Sequence, residues 1–191
     1  MQYVEDIKLL VDEDSQIYDK AKKSITEIKP CQQCGWCCNN RRILVTIPEM
    51  IRILKHTKKK FSEVFVIEKN RLSVSIKTKK VNNKHYCIFY DNGKCSIHDI
   101  KPFQCFTYPV IFHPAVFEIH PPKPMYSEFY VFTCQSPYKD KAKFAIEIDD
   151  FELITTKRLL YLTKNYNIQK KLISKNKLVE IVEEVAKIER T

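Results

Sequence analysis

Residues 31–38 read Cys-Gln-Gln-Cys-Gly-Trp-Cys-Cys, so half of the chain's eight cysteines fall in eight consecutive positions. The other four, Cys87, Cys95, Cys105 and Cys134, are spread over the next hundred or so residues. Whatever these sulfurs hold must organise the fold around it. Two-residue gaps in a tightly turned loop aim successive thiolates at one small centre. Cys31-x2-Cys34-x2-Cys37 has the spacing of the run that supplies three ligands to a cubane in bacterial ferredoxins. Zinc also accepts Cys-x2-Cys, but it commonly draws pairs of ligands from two separated knuckles. Three evenly spaced cysteines therefore tilt the reading towards iron–sulfur, with zinc as the alternative.

The fourth ligand of such a run comes from far away in sequence. Adjacent cysteines normally send their side chains in different directions, so Cys37 and Cys38 are expected to serve different corners. The simplest partition gives Cys31, Cys34, Cys37 and one remote cysteine to one centre, and Cys38 with the remaining three to a second. All eight are expected metal ligands: Cys31, Cys34, Cys37, Cys38, Cys87, Cys95, Cys105 and Cys134. The expected cofactor is a 4Fe–4S cluster, or two of them, with zinc as the alternative.

The 191 residues suit one domain with helical additions, on a prior of about 150 residues per domain. Hydrophobic residues at 44% suffice for a packed core and exclude global disorder. Only Gly35 and Gly93 are glycines, which excludes a Rossmann fingerprint or a phosphate loop, since both need several. The formal charge is +10, but that count treats each cysteine as neutral, and metal binding deprotonates thiols. A lysine-rich solvated surface is the leading explanation of the excess, with nucleic acid as the weaker one. Residues 1–29 are acidic throughout and contain no apolar run of signal-peptide length, and no stretch approaches a membrane span. The expectation is a cytoplasmic protein, where cysteines favour metals over disulfides.

The expected fold is α+β, an irregular cysteine-cluster core with short strands between N-terminal and C-terminal helices. Three parts are expected: a helical segment over 1–29, a metal-binding domain over 30–138, and a helical pair over 139–191. Apolar spacing predicts helix over residues 3–28; the polar stretch 12–15 leaves open one helix or two. Residues 41–47 read as strand, and Pro48-Glu49 as a helix start. Residues 61–69 suit a short helix or a strand, 72–76 a half-buried strand, and 86–90 and 128–132 further strands. Asp91-Asn92-Gly93 signals a turn, and five prolines keep 108–124 extended or looped. Two C-terminal helices are expected, one over 151–166 and one from Ile168 on.

Cys31-x2-Cys34-x2-Cys37-Cys38 resembles the opening of the CxxCxxCC cysteine-cluster family of zinc- or iron-chelating domains. The resemblance continues through Ile47-Pro48-Glu49, is strongest over residues 87–98, and extends through residues 101–109 to Cys134. It implies a metal or iron–sulfur centre held by these cysteines. Flagellin lysine methylases carry a related cluster, so protein-lysine methylation follows by analogy alone. The chain departs from the family pattern at His98, Lys101 and Phe106, so no arginine role carries over to these positions.

His85 and His98 flank the second cysteine group, and Trp36 lies inside the octet as a shield or a plain packing residue. His113 and His120 read as loop histidines. Lys101, Arg41 and Arg42 are candidates to balance cluster charge. No Ser/His/Asp array or His-Glu-x-x-His motif is present, so an enzymatic role is neither indicated nor excluded. The expected partner is a redox or modification protein.

Overall fold

The computed structural model describes residues 2–29, 35–39, 42–68, 72–110, 123–126, 129–134 and 141–188. The architecture is α+β, with helices at both ends and short antiparallel strands between them. Helix α1 spans Gln2–Ser24 without a break. Its buried face carries Ile7, Leu10, Ile17 and Ala21 at helical spacing. Asp14 lies on that same face and is 1% exposed, so residues 12–15 are no interruption.

Strand β1, Thr26–Lys29, follows at once. The helical stripe expected to run to Ile28 is thus cut at Ser24. The cause is long-range: β1 pairs antiparallel with β10 (Lys143–Glu147), matching Thr26 to Ala145. Beyond β10 lie β9 (Phe129–Thr133) and β8 (Lys123–Tyr126), giving the order β1-β10-β9-β8. Periodicity within one segment cannot report a partner more than a hundred residues away.

Helix α2, Ile47–Thr57, starts where Pro48 and Glu49 predict. The Glu49 carboxylate accepts the Thr46 N–H at 2.8 Å, satisfying a donor at the helix start. Residues 61–68 resolve both ways: Phe61–Val64 forms helix α3 and Phe65–Glu68 forms β2. Strand β2 pairs with β3 (Ser73–Ile76), in which Val74, Ser75 and Ile76 are all buried, so the half-buried alternation does not hold.

Two tight hairpins follow. Strands β4 (Thr78–Val81) and β5 (Lys84–Cys87) join through Asn82-Asn83, both at positive φ. Strands β6 (Tyr90–Asp91) and β7 (Lys94–Cys95) join through Asn92-Gly93, also both positive. Asparagine and glycine tolerate the paired positive φ of such two-residue turns, whose twist matches the flanking strands. The apolar run 86–90 is therefore the end of one hairpin and the start of the next. The one-turn helix α4, Phe103–Phe106, comes next.

Helix α5 runs unbroken over Ile148–Ser174, and α6 over Leu178–Ile188. The expected break near residue 167 is absent. Buried polar residues interrupt the apolar stripe there, but they are satisfied: Asn165 Oδ1 accepts the Ile47 N–H at 2.9 Å, and Asn165 Nδ2 donates to Gln169 Oε1 at 3.3 Å. The chain turns instead at Asn176, φ 54°. Helices α1 and α5 run antiparallel, tied at their edges by Lys20–Asp150 and Glu13–Lys164.

Their shared interior holds a charge network. Arg158 of α5 is 7% exposed and places Nη1 3.3 Å from Asp14 Oδ1 and Nη2 3.5 Å from Glu49 Oε1. Arg52 of α2 donates to Asp14 Oδ2 at 2.9 Å. The Arg158 guanidinium also lies over the rings of Phe103 at 4.3 Å and Tyr161 at 4.9 Å. Removing one member of a buried ion network leaves its partners desolvated. Arg158→Met is expected to lower the unfolding free energy by about 3 kcal/mol in urea titration. Leu9→Ala, at a side chain 65% exposed, is expected to move it by under about 0.5 kcal/mol.

Candidate metal centre

The end of the octet is held by backbone geometry. Gly35 takes φ 75°, residues Trp36–Cys38 form one 3-10 turn, and Cys38 N donates to Gly35 O at 3.0 Å. Only glycine adopts that φ readily. Space demands glycine as well: a Cβ on Gly35 would lie 2.3 Å from the Tyr90 ring. Tyr90 is backed in turn by Tyr86, stacked at 5.2 Å with an interplanar angle of 14°. Asn39 then bridges antiparallel to Tyr86. Residues 35–39 are thereby pressed onto the two hairpins that carry Cys87 and Cys95.

The thiols of Cys37, Cys38, Cys87, Cys95 and Cys105 converge electrostatically, and none of them forms a disulfide. The Cys37 charge is felt at Cys38, Cys87, Cys95 and Cys105. Cys38 is pushed far above the ordinary thiol range, first by its hydrogen bond with Cys37 and then by burial. Burial pushes Cys87 up to about 11, with the charges of Cys95 and Cys37 adding. Burial likewise raises Cys95, and raises Cys105 strongly, where Cys87, Cys37, Glu49 and Cys95 add in that order.

Two contacts oppose this trend. The Phe89 N–H donates to the Cys87 sulfur, and the Ile97 N–H to the Cys95 sulfur. In each case the donor lies two residues after the cysteine, at a hairpin strand end. Hydrogen bonds to sulfur favour the thiolate. Lys79 acts in the same sense on Cys87, and Lys101 on Cys95. The set thus pairs thiols that repel one another's charge with donors aimed at their anionic form. A bound cation resolves that conflict, since coordination deprotonates thiols outright. The donor set fits a thiophilic metal group.

The side chains of Cys37 and Cys38 hydrogen-bond to one another, and Cys38 feels the charges of Cys87 and Cys105. Cys134 follows β9, with Sγ 3.9 Å from Tyr108 Oη, three residues beyond Cys105. Cys31 and Cys34 lie outside the described residues, as do Arg41, His113 and His120. Among the described residues, no group of three His, Cys, Asp or Glu side chains is by itself arranged to hold a metal ion.

His85 is exposed on β5 opposite Lys80, and His98 is exposed with Lys101 Nζ 3.3 Å from its Nε2. Trp36 is 42% exposed. Arg42 pairs with Glu68. Glu49, Tyr86 and Tyr90 escaped the sequence reading as parts of the site. The available signal was Gly35, one of two glycines, whose scarcity points to a close approach by something bulky.

Comparison with known proteins bears on the same cysteines. Residues 30–150, more than half of the chain, match the family model CxxCxxCC, described as "Putative zinc- or iron-chelating domain". The chain belongs to this family. No curated protein and no solved structure matches it. Family membership supports metal chelation by a cysteine cluster, zinc or iron, as the property of this region. Among the described residues no helix is long and apolar enough to cross a membrane.

Two outcomes follow from this geometry. Gly35→Ala is expected to displace Tyr90 and cost about 1–3 kcal/mol, from the strained φ alone. The cost should fall in the Gly35→Ala/Tyr90→Ala double variant, measured by denaturant titration as a mutant cycle. Separately, the raised thiols are protonated at neutral pH, so metal uptake must release protons. Zinc added to metal-free protein in weak buffer at pH 7 should release on the order of one proton per coordinated thiol. Apparent zinc affinity should rise with pH, as read by competition with a chelator.

Proposed function

We propose that the protein holds a 4Fe–4S cluster in the Cys31–Cys38 octet and the remote cysteines, and serves electron transfer or supports a redox or modifying enzyme. The observation that carries this reading is the Cys31-x2-Cys34-x2-Cys37 run, with Cys38, Cys87, Cys95 and Cys105 within electrostatic reach of Cys37. A tetrahedral zinc ion and a 4Fe–4S cubane each take four thiolates, so the number of thiols suits either. The Cys-x2-Cys-x2-Cys spacing, which cubane clusters use, favours the cluster. Cys37, Cys87, Cys95 and Cys105 are the described residues best placed to hold the group, with Cys38 beside them and Cys31 and Cys34 supplied by the same octet. When bound, the group would supply one-electron chemistry. The N–H donors of Phe89 and Ile97 would stabilise its thiolates and raise its potential. The absence of disulfides among the described cysteines is in keeping with a reducing cytoplasm.

Anaerobic isolation with iron, zinc and acid-labile sulfide measured per chain tests the reading. The expected result is a brown protein with iron and sulfide in equal amounts and broad visible absorption. A colourless protein holding stoichiometric zinc and no sulfide would overturn the cluster in favour of a structural zinc module.

A further inference from the structure

We infer that Glu49 is the positioning residue for Cys105, holding the one-turn helix α4 in place through a single backbone hydrogen bond. The inference rests on the reading of the cysteine cluster as a metal centre. Glu49 is 1% exposed, and its two oxygens do different work. Oε2 accepts the Thr46 N–H at 2.8 Å and closes the start of its own helix. Oε1 accepts the Phe103 N–H at 2.8 Å, fifty-four residues away. Phe103 is the first residue of α4, and Cys105 is the third.

In α4 the Cys105 and Phe106 N–H groups bond back to Pro102 O, whereas the Phe103 N–H at the helix start finds its acceptor outside the helix. A helix of four residues has little intrinsic stability of its own. The Phe103 N–H therefore depends on Glu49 for its acceptor, and the orientation of Cys105 depends on α4. Other contacts fix the same spot: Phe103 is buried beneath the Arg158 guanidinium, and the Arg52 Nε donates to Ile100 O at 3.4 Å. Thr107 Oγ1 donates to Phe103 O at 3.0 Å from the far end of α4, and Glu49 ties the start of α4 to α2. Arg158, 3.5 Å from Oε1, pairs with the carboxylate from the α5 side. Changing a group that orients a metal ligand typically costs roughly 10–100-fold in metal affinity.

Two variants separate positioning from general stability. Glu49→Gln keeps an oxygen for the Phe103 N–H but loses the charge that Arg158 pairs with. Glu49→Asp keeps the charge and the cap on Thr46 but is one methylene too short for Phe103. Stability should therefore fall further in Glu49→Gln than in Glu49→Asp. Metal affinity should fall in the opposite order: near wild type for Glu49→Gln, and roughly 10–100-fold weaker for Glu49→Asp.

The measurement is anaerobic titration of cobalt(II) into the metal-free full chain. The thiolate-to-cobalt charge-transfer band is the readout, with urea unfolding of the same samples alongside. Crossed orders in the two measurements are the expected result. If both variants rank alike in stability and in cobalt binding, Glu49 is merely structural and the inference falls. If Glu49→Asp binds cobalt like wild type, it falls as well. A wild-type chain that shows no thiolate–cobalt band overturns the underlying metal reading itself, and the two failures are thereby told apart.

Discussion

The Arg158 guanidinium sits where four elements meet. It faces Asp14 of α1, Glu49 of α2 and the Phe103 ring of α4, and it is itself part of α5. An arginine buried this deeply persists only when its donors and charge are matched, and two carboxylates and two aromatic rings do so. Hydrophobic burial holds α1, α2 and α5 against one another, but burial has no direction. The charge network supplies the direction. It sets the rotation of α1 through Asp14 and the start of α2 through Glu49. It also fixes the entry to the short helix that carries Cys105.

The second constraint is the contact of Gly35 with Tyr90. Where the network works from beneath, this contact works from the side. It brings residues 35–39 against the hairpins by pressing an aromatic ring onto bare backbone. The resulting pocket of thiols is internally antagonistic. Four thiols whose proton affinity is raised lie near Cys37, and two of them, Cys87 and Cys95, accept backbone N–H bonds that favour their anions. Such thiols stay protonated without a cation and give up their protons to one, in keeping with membership in a zinc- or iron-chelating family.

The cysteine spacing, the α2 start at Pro48-Glu49 and the turn at Asn92-Gly93 were legible because each is local. A thiol run, a capped helix and a paired positive φ are properties of a few adjacent residues. What escaped was long-range. Strand β1 looked helical because its partner β10 lies far along the chain. The stretch 12–15, which holds Asp14, and the boundary after residue 166, next to Asn165, looked like breaks in apolar stripes because the partners of these residues were out of view. In hindsight, a charged residue at a core position of a helical stripe is the signal: Asp14 falls between Leu10 and Ile17, and Arg158 between Ile154 and Tyr161.

The borders of the family match give the charge network a further meaning. The match covers residues 30–150, which includes Glu49, Arg52 and Phe103 but neither Asp14 nor Arg158. Both of the outside residues reach into the matched region from the flanking helices. Excising residues 30–150 would strip Glu49 of its cation and Arg52 of its anion while leaving every matched cysteine in place. In this protein the matched cysteines and the two residues that complete the charge network, Asp14 and Arg158, thus come from different stretches of chain. Transplanting the cysteine pattern alone into another scaffold would carry over the donors without their alignment.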